Sequence, residues 1–340
     1  MIAHQYVERA TARAADERFC GDPLVSFLYS RVREDSAWLF RALTSARLTR
    51  LLAGMRFDRR PACPARMRRR LAQAVGIDFS ECADPLDSLD TPRKIFERRI
   101  RYWDHRPMEA DPAAVASPAD ARLLAGSFRE ASALFLKNKL FAYDELLGWD
   151  KPAWQRAFRD GDYAVLRLTP DKYHYNHAAV SGEVRDIYEL DGRYQSCHPA
   201  VLIAQAAPHS KNRRIVTILD TDVAGGTRAG LVAMVEVVAL MIGDIVQCYS
   251  AERYASPAAV CPGMRLERGC PKSLFRPGSS TVVLVFQAGR VRFCDDIVAN
   301  LRRPDVRSLF SAGGGGCAVE TDVRVRETIA RAAPGSAGRT

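Results

Sequence analysis

The stretch Arg268-Gly269-Cys270-Pro271-Lys272-Ser273-Leu274-Phe275-Arg276-Pro277-Gly278-Ser279-Ser280-Thr281-Val282-Val283-Leu284-Val285-Phe286 sets the frame for the whole chain. A turn-prone, serine-bearing segment runs straight into Thr281 to Phe286, a β-branched and aromatic run suited to a buried pleated surface. Moving outward, runs of the same texture recur at Tyr163 to Leu168, Ile215 to Leu219 and Leu231 to Val238. Turn signals fall between them at Asp191-Gly192 and Gly289. The part of the chain past about residue 160 therefore predicts a mostly antiparallel β-sheet. From Tyr6 to about Gly76 the period is different. Leu24, Phe27, Leu28, Leu39, Leu43, Leu48 and Leu51 recur at spacings of three and four with arginines between them, which predicts helices. The fold class expected is α+β: a helical N-terminal region over 1–110, a mostly antiparallel β-sheet core over 111–310, and a tail over 311–340. Gly313 to Gly316 and the small polar residues Ala332 to Thr340 predict disorder in that tail.

The 340 residues carry a formal net charge of +10, mostly as arginine, the side chain suited to planar recognition of phosphate or carboxylate. Charge alone leaves nucleic acid, an anionic membrane surface and an acidic substrate open as partners. Nucleic acid is disfavoured, because the basic residues are not interleaved with an aromatic base-stacking platform. The run Arg66, Arg68, Arg69 and Arg70 reads either as a solvated helix face or as a contact for anionic lipid headgroups. Nine cysteines are scattered without a Cys-x-x-Cys pair or zinc-type spacing, so no metal is expected. With no secretory signal read at the start, this points to a reducing, cytoplasmic compartment. The most apolar stretch, Leu231 to Val246, is cut by Glu236 and Asp244. It falls short of a spanning helix, so membrane contact is expected to be peripheral.

Two features carry chemistry. Of six histidines, two fall in Tyr173-His174-Tyr175-Asn176-His177, just after a strand. Spacing alone leaves them as metal ligands, a general acid and base, or a pH-sensitive pair. The second feature is the serine segment quoted above, which on composition is a turn.

In combination, and in this order along the chain, the two resemble the phosphatidylserine decarboxylase family. Arg268-Gly269, Phe275 and Gly278 to Thr281 followed by an apolar strand resemble its Lys-Gly, Phe and Gly-Gly-Ser-Thr signature. The histidine loop resembles its Tyr-His-Arg-x-His motif after the lead Arg167-Leu168-Thr169-Pro170. Ile95 to Ile100, Arg106-Pro107, Ser117 to Asp120, Leu136 to Gly148, Asn212-Arg213 with Thr217, and Glu236 with Gly243 extend the likeness over roughly residues 15 to 305.

The resemblance implies a self-processing enzyme whose cofactor is a pyruvoyl group made from an internal serine, with no metal and no pyridoxal phosphate. It implies Ser280 as the serine that attacks the carbonyl of Ser279, His177 as its base and Asp120 as the group orienting that base. The chain would become a β piece and an α piece. The pyruvoyl carbonyl would form a Schiff base with the substrate's amine, with His174 returning a proton to the α-carbon. The partners implied are a phospholipid substrate and an anionic membrane surface, on the cytoplasmic side of the cell membrane. A homodimer is compatible with it. Where the family has glycine before the serine this chain has Ser279, so a pyruvoyl at Ser279 is the alternative. Ala121, Tyr175, Ala179 and Val238 also depart from the family pattern. These departures leave two alternatives: a decarboxylase of a soluble amino acid or natural-product intermediate, and a homologue that does not split.

Overall fold

The computed structural model describes residues 4–17, 76–129, 143–193, 199, 208–239, 244–276, 280–311 and 318–333. Its strands are β1 (Gln5–Glu8), β2 (Arg13–Asp16), β3 (Ala114–Ala116), β4 (Ala121–Ser127), β5 (Asp162–Leu168), β6 (Tyr175–His177), β7 (Gly182–Leu190), β8 (Arg214–Asp220), β9 (Leu231–Val238), β10 (Ile245–Gln247), β11 (Arg265–Leu266), β12 (Pro271–Phe275), β13 (Ser280–Phe286), β14 (Val291–Phe293), β15 (Thr321–Val323) and β16 (Thr328–Ala332). The helices are short: α1 (Pro92–Phe96), α2 (Tyr102–His105), α3 (Tyr143–Leu147), α4 (Pro152–Ala157), α5 (Pro208–Lys211) and α6 (Asp295–Leu301).

A ten-stranded sheet in the order β11-β7-β8-β9-β13-β5-β4-β15-β1-β2 forms the backbone of the molecule. Its pairings are antiparallel except for β1 with β15. At its centre β13 is buried along its whole length between β5 and β9, as its unbroken apolar run requires. Side chains alternate there. Val282, Leu284 and Phe286 join Leu166, Leu168, Met234 and Val238 in one core. Val283 and Val285 face the other way, against Val165, Val235, Val237, Leu147 and Phe158. Ser280 has the parity of the first face. Two three-stranded sheets, β10-β12-β6 and β14-β16-β3, contribute Ile245, Phe275, Val115, Val291 and Ile329 to that same first core. Helices α3 and α4 cover the second face through Leu146, Leu147 and Trp154.

Two expectations are corrected by this arrangement. The N-terminus begins not as a helix but as the β1–β2 hairpin, which inserts the fully buried Val7 at the sheet edge. The segment 318–333, expected to be disordered, supplies β15 and β16. Thr321, Val323 and Val325 are buried and alternate with the more exposed Asp322, Arg324 and Arg326, a period-two pattern hidden between glycine-rich and Ala-Pro-Gly-rich flanks. The helical stretch expected over Leu24 to Leu51 and the run Arg66 to Arg70 lie outside the described residues. The first half of the most apolar stretch, Leu231 to Val238, is a central strand. Among the described residues no helix is long and apolar enough to cross a membrane.

Candidate active site

Ser280 opens β13, directly opposite Leu168 of β5 and Val238 of β9. It is fully buried, and its Oγ has no hydrogen-bond partner among the described residues. An unpaired buried hydroxyl costs about 1–3 kcal/mol of desolvation that packing must offset. Such a group invites a chemical explanation.

β5 ends at Leu168 beside Ser280, and the loop that follows leads through His174 into β6. His177 is fully buried in β6, opposite Pro271 of β12. Its Nδ1 lies 2.8 Å from the Gly269 carbonyl oxygen and its Nε2 lies 3.0 Å from the Tyr173 hydroxyl. A carbonyl only accepts, so Nδ1 carries the proton and Nε2 presents its lone pair to the Tyr173 hydroxyl, which donates to it. The Tyr173 hydroxyl also meets that of Tyr254 at 2.7 Å, and Tyr254 donates to the Ile100 carbonyl. Gly269 must be glycine: its φ is +77°, and a Cβ there would stand 2.4 Å from Met108 Sδ. Burial pushes the His177 imidazolium down to about 3, so the ring is neutral at pH 7.

His174 is held the same way. Its Nδ1 donates to the Lys172 carbonyl at 2.8 Å, and its ring lies tilted against Phe96 of α1 at 3.7 Å between centroids. Its Nε2 is buried with no partner among the described residues. Burial, then the charge of Arg98, lowers its pKa to about 3.

Asp120 sits in the turn between β3 and β4 and accepts from Arg106 Nη2 at 2.8 Å and from the Val325 amide at 2.7 Å. Burial alone would raise its pKa, but the hydrogen bond and charge of Arg106 hold it below the usual carboxylate range. Its partners are therefore Arg106 and the strand-bearing C-terminal segment, not an imidazole. Its charge reaches His174 and His177 through space. No hydrogen bond joins Asp120 to His177 or His177 to Ser280 among the described residues, and Ser279 lies outside them. The backbone does tie the parts together: the His177 amide donates to the Pro118 carbonyl, two residues before Asp120.

Sequence reading missed three groups around this centre. Glu236, opposite Val282 on the Ser280 face, is buried and accepts from Lys272 Nζ at 2.8 Å, Gln247 at 2.9 Å, Asn176 at 3.3 Å and Ser273. The register shift between Pro271 and Ser273 in β12 accompanies the approach of both Lys272 and Ser273 to one carboxylate. Arg98 is 5 % exposed and has no ion pair among the described residues. Arg326 sits at φ +74°, with its guanidinium 5.1 Å from the Tyr102 ring, and Tyr102 packs edge-on against His177. Arg98 and Glu236 fell inside stretches that carry the resemblance, but nothing in their spacing signals a buried carboxylate network or burial without a counter-ion.

Comparison with known proteins places these features in one lineage. The sequence profile of the phosphatidylserine decarboxylase family matches residues 93–308. The chain is 32 % identical over 259 residues to a phosphatidylserine decarboxylase proenzyme of Bordetella petrii, covering 72 % of this chain and 86 % of that one. It is 30 % identical over 300 residues to the protein of that name in Chlamydia trachomatis, covering 86 % and 90 %. With that of Ruminiclostridium cellulolyticum it shares 27 % over 299 residues, covering 86 % and 91 %. A match that spans the histidine loop, the buried serine and the strands between them shows that the chain belongs to the phosphatidylserine decarboxylase family.

Proposed function

We propose that this protein is a proenzyme that splits itself at Ser279–Ser280 and then decarboxylates phosphatidylserine to phosphatidylethanolamine. The observation that carries the reading is an unpaired, fully buried serine hydroxyl at the first residue of a central strand, in a chain of this family.

In the splitting step Ser280 Oγ attacks the Ser279 carbonyl carbon, and the amide bond gives way to an ester. Elimination releases the Ser279 carboxylate as the end of the β piece. The dehydroalanine left at position 280 tautomerises, takes up water and loses ammonia, leaving a pyruvoyl group at the start of the α piece. His177 Nε2 is the base that suits the first proton transfer, since Nδ1 is committed to Gly269 and the ring is neutral. Asp120, kept ionised by Arg106, favours the imidazolium that results. The unpaired Ser280 Oγ fits a residue destined to become the cofactor. Once formed, the pyruvoyl group supplies an electron sink for the substrate's amine-bearing carbon. His174 Nε2 takes a proton from the incoming ammonium and returns it to the α-carbon once carbon dioxide has left. The substrate's own negative charge raises the proton affinity of the ring on arrival.

The β and α pieces stay together because β13, β15 and β16 of the α piece are interior strands of sheets shared with the β piece. The partners in this reading are the phospholipid and an anionic membrane surface, met peripherally from the cytoplasmic side. Electrophoresis with mass measurement of the small fragment tests the splitting. A fragment beginning with pyruvoyl at position 280 is expected; an unmodified serine, a start at 279 or an unsplit chain overturns it. Carbon dioxide release is expected from phosphatidylserine liposomes, rising with anionic lipid and falling with salt as screening sets in over about 8–10 Å. Turnover of free serine alone would instead favour a soluble substrate, which the stacked, non-family Tyr175 beside Tyr173 makes worth testing.

A further inference from the structure

Two buried arginines show how a guanidinium is closed off in this fold. Arg167 is met by the carboxylates of Glu17 and Glu320. Arg214 has no ion pair among the described residues, but each of its three nitrogens donates to a carbonyl, of Leu146, Asn212 or Glu145. Arg98 follows neither pattern. Nη1 donates to the Ile95 carbonyl at 3.2 Å and Nη2 to that of Asp171 at 2.8 Å, while the buried Nε has no partner among the described residues. Asp120, Asp171 and Glu81 act on it only through space, and Asp120 and Glu81 are already engaged by Arg106. A desolvated guanidinium with a free donor and no counter-ion is a site short of one anion.

Its position says which anion. Arg98 holds the loop that carries His174, and its charge is felt by that imidazole. His174 is the group assigned to the substrate's α-carbon. In a serine phospholipid the phosphorus is joined to that carbon through only Cβ and one ester oxygen, so the phosphodiester must lie close to whatever serves the α-carbon. The headgroup offers a second anion, the carboxylate, but this is the group that departs as neutral carbon dioxide. A cation paired with it would stabilise the ground state more than the transition state and oppose the reaction. The phosphodiester keeps its charge throughout.

We infer that Arg98 is the seat of the substrate's headgroup phosphodiester, donating to it from Nε. The inference rests on the proposed lipid activity, and binding and turnover separate the two. With processed wild-type protein, calorimetric titration with glycerophosphoethanolamine should show tighter binding than with ethanolamine or free serine. In Arg98→Gln that advantage should fall by about 10- to 100-fold, the loss typical of a charge-assisted hydrogen bond. Arg98→Lys should recover part of it. On phosphatidylserine, Arg98→Gln should raise KM by a similar factor with kcat within a few-fold, because the contact is the same in ground and transition states. Splitting and the unfolding temperature report whether each variant keeps its fold. Equal phosphodiester affinity in wild type and Arg98→Gln overturns the inference, and so does a fall in kcat at unchanged KM, which would make Arg98 a positioning residue for His174. Arg98-dependent phosphodiester binding in a wild-type protein that fails to decarboxylate the lipid would sink the proposed activity and leave the seat standing.

Discussion

Strands β5 and β13 present two faces built from adjacent residues, and the groups at Arg167 and at Ser280 are partnered in opposite ways. On one, Arg167 stands opposite Thr281 and is locked by Glu17 and Glu320, while His4 Nε2 reaches Glu320 at 2.9 Å and its Nδ1 accepts from the Leu309 amide. On the other, one residue along, Ser280 and the neighbouring His174 each leave a buried polar atom unpaired. The first face carries an ion-pair network, closed in its charges although Thr281 Oγ1 beside it has no partner among the described residues, that joins the N-terminal hairpin, the central sheet and the C-terminal segment. The second closes its own ion pair, Glu236 with Lys272, yet leaves Ser280 Oγ and His174 Nε2 open. Closing a network serves the fold, and leaving donors and acceptors open serves a reaction.

The largest effect expected follows from removing the open hydroxyl. Ser280→Ala should abolish splitting outright, yet unfold no earlier than the unsplit His177→Ala chain, since deleting a buried unpaired hydroxyl removes a cost of about 1–3 kcal/mol. Electrophoresis and urea titration read both. A folded Ser280→Ala chain that still splits would move the reaction to Ser279. His177→Ala should slow splitting by about 10²–10⁴-fold. A normal rate would assign the base elsewhere, with His174 Nε2 the next candidate.

The closed face should behave in reverse. Arg167→Met strands two buried carboxylates and should cost about 3–5 kcal/mol in stability, while whatever fraction folds should split at the normal rate. Slowed splitting without lost stability would bring Arg167 into the chemistry and erase the contrast between the faces.

How far each face could be read in the sequence follows from the range of its contacts. Ser280, His174 and His177 lie within short motifs, and the strand beneath them is spelled out locally by Thr281 to Phe286. The antiparallel core past residue 160 was legible for the same reason. The closed face joins His4 and Glu17 to Arg167 and Glu320, more than a hundred residues apart at each step, and no local pattern marks such pairs. Glu320 and Val325 were misjudged because the glycine run before them suggested a tail. The Asp120 that resemblance paired with His177 is instead bound by Arg106 and the Val325 amide, a meeting that depends on the tertiary position of that same C-terminal segment.

The smallest effect separates the two faces by pH. His174 and His177 ionise at about 3 in the fold, against about 6.5 in the unfolded chain. Between those values the unfolded chain binds protons that the fold refuses, so the stability these neutral rings represent is complete above about pH 6.5 and is lost as pH falls toward 3. Each ring contributes a slope of at most about 1.4 kcal/mol per pH unit. His209, buried elsewhere and also lowered to about 3, adds the same. Glu320 belongs to the other face. Burial would raise its pKa, but the charge of Arg167 and the hydrogen bonds of His4 and Arg167 bring it below the ordinary value, so its contribution is lost only as pH drops beneath about 4.5. Urea unfolding across pH 7 to 5 should therefore report chiefly these histidines, opposed toward the acid end by Glu327, whose carboxyl is pushed above the ordinary value by burial. His174→Gln, chosen because its ring packs on Phe96 without bonding another side chain, should flatten the slope there by about one third. Glu320→Gln should lower stability at neutral pH and leave that slope unchanged, altering the curve only in the more acid range. If Glu320→Gln flattens the pH 7 to 5 limb as much as His174→Gln does, the two faces titrate as one unit and the division drawn between them fails.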